Sequence, residues 1–135
     1  MAGYSATPLS KKLGYKASFR ACVKGARDHY FEIIQPLPDR VAMSNRFQKD
    51  VDLCHFFTMS HRELTGQLPR LISCIRQNGM IWVSWPKKAS KVPTDVTEDV
   101  IRSVALPLGL VDVKVCAVDD VWSGLKLVIG KELRK

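Results

Sequence analysis

The chain has 135 residues, a length that suits one domain with one hydrophobic core spanning 1–135. Hydrophobic residues make up 46% and charged residues 25%, which excludes an intrinsically disordered chain. The formal charge of +8, from 21 Lys and Arg against 13 Asp and Glu, points to anionic partners and excludes none by itself.

No apolar run approaches the roughly 18–20 residues that a membrane span needs. The opening M-A-G-Y-S-A-T-P-L-S-K-K lacks the apolar stretch of a secretory signal, so the expectation is a cytoplasmic protein that does not engage a membrane. Cys22, Cys54, Cys74 and Cys116 form no C-x-x-C pair, and the expectation is four buried, reduced thiols with no metal site. No helix-turn-helix, zinc-finger or RNP pattern accompanies the positive charge.

In chain order, residues 1–7 form an extended lead-in, with Tyr4, Ser5 and Thr7 placed to act as a lid or as a tail. Pro8 opens a short helix that stops before Gly14. Residues 18–24 read as a first strand. Gly25 to Asp28 turn, with Asp28 as cap of a helix over 29–34 that Pro36 and Pro38 end. Residues 41–44 and 51–58 are the second and third strands, the latter mostly apolar as buried parallel strands are.

Ser60-His61-Arg62-Glu63 is a capping box. Leu64, Leu68, Leu71, Ile72 and Ile75 then recur at helical spacing, Pro69 is expected to kink or split that helix, and Asn78-Gly79 to stop it. Met80 to Trp85 is a fourth strand. Asp95 to Glu98 reads as a second capping box. The helix it opens turns Val96, Val100, Ile101 and Val104 inward and ends near Gly109. Residues 111–118 and 125–129 are the last strands, joined by a turn over 119–124 that is too short for a crossover helix, so the pair is antiparallel. Strands alternating with helices predict an α/β, Rossmann-like three-layer sandwich with a mostly parallel sheet and a C-terminal antiparallel hairpin.

The segment Met80–Asp99 carries the strongest site signal. Trp85 ends a strand, and Lys87, Lys88 and Lys91 follow it at the carboxyl edge of the sheet, where α/β proteins place ligands. The turn over 119–124 is expected at the same edge, adding Asp119, Trp122 and Ser123. The helix start near Asp95 contributes partial positive charge. Together these residues form a cationic pocket with an aromatic wall; the alternative is a solvated lysine loop neutralised by Asp119 and Asp120, with Trp122 in the core. Trp82 and Trp85, three apart on one strand, point to opposite faces, Trp82 into the core. His29, His55 and His61 lack ligand spacing, and His55 reads as a satisfied core group.

Residues 9–25, 51–58 and 68–84 with the terminal hairpin resemble the frame of S-adenosylmethionine-dependent methyltransferases, in order and pattern. Residues 3–14, 82–100 and 108–129 (Y-S-A-T-P-L-S-K-K-L-G, W-V-S-W-P-K-K-A-S-K) are also similar to a family of small bacterial proteins with no assigned activity. The methyltransferase resemblance implies a cofactor turn after the first strand and an acidic residue after the second. Here the turn, Lys24-Gly25-Ala26-Arg27-Asp28, has one glycine where the family has a G-x-G-x-G run, and the second strand ends in Ser44-Asn45-Arg46. One strand–helix unit of the usual frame is missing. Gly25, Arg27 and Arg46 thus mark a degenerate cofactor loop on a truncated methyltransferase frame. The expectation is a non-catalytic binding or regulatory domain without a cofactor, taking an anionic small molecule or acidic partner. The alternatives are a methyltransferase using S-adenosylmethionine through an atypical loop, and nucleic-acid association through general basic charge.

Overall fold

The computed structural model describes residues 7–135, so Tyr4 and Ser5 of the expected lid or tail lie outside the described residues. The elements run α1 (Leu9–Leu13), β1 (Arg20–Lys24), α2 (Tyr30–Ile33), β2 (Ala42–Ser44), β3 (Val51–Phe57), α3 (His61–Cys74), β4 (Ile75–Pro86), α4 (Glu98–Ala105), β5 (Leu110–Ala117) and β6 (Trp122–Ile129). They form a six-stranded sheet in the order β2-β1-β3-β4-β6-β5. β2, β1, β3 and β4 are mutually parallel, and β6 runs antiparallel to both of its neighbours. No helix among the described residues is long and apolar enough to cross a membrane.

Two cores sandwich the sheet. On one face Leu64, Leu68 and Leu71 of α3 and Ile101 and Ala105 of α4 cover Cys54, Phe56, Ile81, Val83, Leu125 and Leu127. On the other, Leu13 of α1 and Tyr30 of α2 cover Ala21, Val23, Leu53, Phe57, Trp82 and Trp122. β3 is covered on both faces, which accounts for its near-continuous burial and mostly apolar sequence. Cys22, Cys54 and Cys74 are buried free thiols, whereas Cys116 is half-buried because β5 is an edge strand.

Several local expectations are corrected. Pro69 lies inside α3 without splitting it; burial of Leu68 and Leu71 on either side holds the helix across the one missing N–H. The helix ends at Cys74, not at Asn78-Gly79. Ile75 already pairs with Val51, and residues 76–79 bulge before Met80 meets Leu53. Gly79 serves that bulge, where a Cβ would come within 3.1 Å of the Val51 and Asp52 carbonyl oxygens. The Ser60 hydroxyl accepts from the Glu63 N–H at 3.1 Å as a cap should, but the Glu63 carboxylate accepts from the Thr58 hydroxyl at 2.5 Å, not from Ser60. Asp28 does not cap α2: the helix begins at Tyr30, and the residue in the N-cap position is His29, which makes no side-chain cap. Thr97, not Asp95, caps α4, accepting from the Val100 N–H at 3.2 Å. The final turn is shorter than expected, because β6 starts at Trp122.

A polar chain crosses the second core. The Tyr15 and Tyr30 hydroxyls are 2.8 Å apart, Tyr30 bonds His55 Nδ1 at 2.8 Å, and His55 Nε2 bonds the Ser84 hydroxyl at 2.7 Å. The His55 ring also stacks on Phe57, with centroids 4.3 Å apart. His55 is therefore the satisfied core group expected of it. Burial pushes its pKa down from 6.5 to about 3 and pushes that of Tyr15 up to about 12.

Two predictions follow from these positions. In the unfolded chain His55 takes up its proton near pH 6.5, whereas the folded chain refuses it until about pH 3. Stability contributed by the neutral ring is therefore full above pH 6.5 and falls by about 1.4 kcal/mol per pH unit as pH drops through that window. Denaturant unfolding across the window should show this slope in the native chain and a shallower one in His55→Gln. Gly25 has φ +73°, and a Cβ there would sit 2.6 Å from the Phe57 carbonyl oxygen, whereas Gly66 faces open space within α3. Gly25→Ala should cost roughly 2–4 kcal/mol, and Gly66→Ala should add about 0.5–1 kcal/mol, both read from urea midpoints.

Candidate functional site

The carboxyl edge of the sheet is built from the ends of β1, β3 and β4 and the β5–β6 turn. Trp85 and Ser123 are register partners on β4 and β6 and face the α3–α4 side. Beyond Pro86 the chain stays tied to that turn: the Lys87 N–H donates to the Val121 carbonyl at 2.8 Å. Residues 88–90 form one 3-10 turn, and Lys91 adopts a left-handed conformation with φ 60°. The loop is wound on its own hydroxyls. Ser90 donates to the Lys87 carbonyl at 2.7 Å, and the Val96 N–H donates to the Thr94 hydroxyl at 3.0 Å.

The loop is also tied to the start of α3. The Thr94 hydroxyl donates to the Met59 carbonyl at 2.8 Å, and the Asp95 carboxylate accepts from the His61 N–H at 2.6 Å. The acid expected to cap α4 therefore serves a different helix.

Between this loop and the sheet lies a cavity of about 670 Å³. Trp85 and Val96 supply apolar wall, Thr94, Thr97 and Ser123 supply hydroxyls, and Lys87, Lys88 and Lys91 supply positive charge. One carboxylate, Glu98, lines it, and that group is paired with Arg102. None of the three lysines joins an ion pair among the described residues. The basin is thus cationic, with one aromatic wall, and can hold an anion by charge and an attached apolar or planar group by contact.

Of the residues picked out from sequence, the structure brings Trp85, Lys87, Lys88, Lys91 and Ser123 together and touches Asp119 only through its carbonyl, to which Lys87 Nζ donates at 3.4 Å; the Asp119 carboxylate and the Trp122 ring are left out. Trp122 is on the opposite face of β6, 5.3 Å centroid to centroid from Phe57. Asp119 closes the hairpin turn: one carboxylate oxygen accepts from the Val121 and Trp122 N–H groups at 2.8 and 2.7 Å, and the other meets His29 Nε2 at 2.8 Å. Burial works to raise its pKa, but the hydrogen bonds from Trp122, Val121 and His29 outweigh burial and hold it low. Adjacent strand residues point to opposite faces, so a strand read from Trp122 instead of Leu125 would have separated Trp122 from Ser123 in advance. Thr94 and Thr97 were missed as lining residues because their cap pattern already accounted for them.

Gly25, Arg27 and Arg46 lie at the other half of this edge, where the strand order reverses between β1 and β3. The Arg27 guanidinium lies 4.6 Å over the Trp122 ring, and its buried Nε has no hydrogen-bond partner. Arg46 is exposed; its carbonyl accepts from the Cys22 thiol at 3.2 Å. Lys24 reaches from the end of β1 to donate to the Asn45 carbonyl at 2.6 Å, with its ammonium 4.2 Å from the Phe47 ring.

These residues do not fit S-adenosylmethionine in the place the fold would put it. The space a Cβ would take at Gly25 is filled by the Phe57 carbonyl, so the turn is folded down onto β3 and does not cradle a ligand. Residues 44–48 (S-N-R-F-Q) offer no carboxylate to ribose hydroxyls. Lys24 lies across the gap between β1 and β2, and its charge opposes a sulfonium.

No family model matches the chain, and no curated protein matches it. Solved structures do match in fold. A type 11 methyltransferase from Sulfolobus solfataricus, described as putative, aligns with a TM-score of 0.64 at 10% identity over 93% of this chain and 90% of that one. The magnesium protoporphyrin IX methyltransferase of Synechocystis PCC 6803, solved with bound S-adenosylmethionine, gives 0.61 at 8% identity over 90% and 76%. A S-adenosylmethionine-dependent methyltransferase from Aquifex aeolicus gives 0.59 at 14% identity over 90% and 88%. The chain therefore has the Rossmann-like α/β fold of S-adenosylmethionine-dependent methyltransferases.

Proposed function

We propose that this chain is a ligand-binding protein on a methyltransferase frame, and that the basin between β4, β6 and the 87–97 loop takes an anionic small molecule. The observation that carries this reading is the convergence of Lys87, Lys88 and Lys91, all without an ion-pair partner among the described residues, on a cavity walled by Trp85. The N-terminus of α4 adds its share of the helix dipole at the same rim, offset by Glu98 and Asp99 in its first turn. A phosphorylated or polycarboxylated compound with a planar group matches that chemistry.

A second reading is methyl transfer from S-adenosylmethionine through an atypical loop. The comparisons support it better than they support a non-catalytic role, because the neighbours are methyltransferases and one of them holds that cofactor. The likeness is at 14% identity or below and reaches only the fold. The anion-binding reading stands first because the cofactor turn lacks a cradle and an acid. No step of a methyl transfer is derived for this chain.

Calorimetry with AMP, inorganic pyrophosphate and S-adenosylhomocysteine separates the two readings. The expected outcome is micromolar binding of AMP or pyrophosphate that weakens at least about tenfold in Lys87→Ala/Lys88→Ala. The same variant should melt within roughly 5 °C of the native chain, since Lys88 is exposed and Lys87, half-buried, gives up one long hydrogen bond to the Asp119 carbonyl. Micromolar binding of S-adenosylhomocysteine that survives the double substitution, with no binding of AMP or pyrophosphate, would establish the second reading in place of the first.

A further inference from the structure

A second cationic feature lies on the other face of the sheet, away from the basin. Lys114 of β5 and Lys126 of β6 are directly opposite each other in the antiparallel register. Like charges at such a position destabilise a strand pair. Lys126 is half-buried, its neighbour across β4 is Trp82, and burial, Lys114 and Lys16 together hold its pKa below the usual lysine value. Lys12 of α1 precedes Leu13, whose carbonyl is held by Trp82, the register partner of Lys126, so it lies on the same face; burial raises the Cys116 pKa there, and Lys12 and Lys114 both work against that rise. α1 is fixed over this face by the Trp82 indole, which donates to the Leu13 carbonyl at 2.7 Å.

Four lysines from three separate segments thus gather over the α1 side of β6 and β5, and none joins an ion pair among the described residues. The described ion pairs engage Arg76, Arg102 and His29 instead. An uncompensated like-charge pair built into a strand register works against folding. An external polyanion relieves it by supplying the missing counter-charge. The lysines come from α1, which is tied to Trp82 of β4, and from the adjacent strands β6 and β5, so the group extends over three neighbouring strands about 4.8 Å apart. Ammonium groups spread in this way without a carboxylate among them suit a chain of phosphodiesters.

We propose that Lys12, Lys16, Lys114 and Lys126 form a docking surface for the phosphodiester backbone of a nucleic acid, separate from the basin at the carboxyl edge. Four phosphate contacts give a slope of log affinity on log salt of about −2.8 for single strands and about −3.6 for duplexes. Affinity should therefore fall roughly 50- to 150-fold between 50 and 200 mM salt.

The test is fluorescence anisotropy of the full chain with labelled 20-nucleotide single-stranded RNA and 20-base-pair DNA, each titrated with salt. Lys114→Thr/Lys126→Thr should roughly halve the salt slope and weaken binding at 50 mM salt by more than tenfold. Its melting temperature should equal or exceed that of the native chain, because a cross-strand repulsion has been removed. Lys131→Ala/Lys135→Ala, an equal loss of charge at an exposed terminus, should leave affinity within twofold. The proposal fails if the terminal pair weakens binding as much as the cross-strand pair does. It also fails if the native chain binds neither oligonucleotide at 50 mM salt, or binds phosphatidylserine vesicles and no oligonucleotide. Should Lys114→Thr/Lys126→Thr fail to fold, Lys12→Ala/Lys16→Ala decides the matter: it should roughly halve the salt slope, and a slope and affinity equal to the native chain's overturn the proposal.

Discussion

The position of β6 governs the rest of the molecule. The strand enters between β4 and β5 against the direction of both, so its residues divide between two cores and its first turn is brought to the carboxyl edge. Ser123, Leu125 and Leu127 go to the α3–α4 side, whereas Trp122 and Lys126 go to the α1–α2 side. The basin, the Arg27–Trp122 contact and the group of lysines each take a residue from this one strand. Displacing β6 by one residue would exchange the two sets and empty both cores at once, which is why its register is so strongly determined.

The two halves of the carboxyl edge have opposite characters. Over β1 and β3, where related folds hold a cofactor, the protein has used its own groups to fill the space. The Phe57 carbonyl occupies the room beside Gly25, Lys24 bridges to β2, and Arg27 and His29 dock on the hairpin turn. Over β4 the edge is open and its charge is uncompensated. A fold shared with methyltransferases therefore coexists with an edge that is filled over β1 and β3 and open over β4, in keeping with function residing in sites and not in frames.

Much of this was legible in the sequence, for stated reasons. Period and punctuation revealed the order of elements, the antiparallel last pair, and the split of Trp82 from Trp85, because each depends on neighbours within a few residues. The cluster of Trp85, Lys87, Lys88, Lys91 and Ser123 followed from that order. Features that failed were those where a distant group competes for a local one. Asp95 had a cap pattern for α4 and was taken by His61, Glu63 was taken by Thr58, and Asn78-Gly79 was a bulge against β3. The group of Lys12, Lys16, Lys114 and Lys126 was invisible because it joins the first helix to the last two strands, segments far apart in the chain.

The ties between the 87–97 loop and α3 carry one more consequence. A surface loop of this length ordinarily surrenders considerable conformational freedom when a ligand arrives. Here Thr94 holds the Met59 carbonyl and Asp95 holds the His61 N–H, so the loop is anchored to a helix it does not follow in sequence. The entropy has been surrendered during folding. The backbone around the basin is in this sense preorganised, and the ordering left for a ligand to impose falls on the lysine side chains alone.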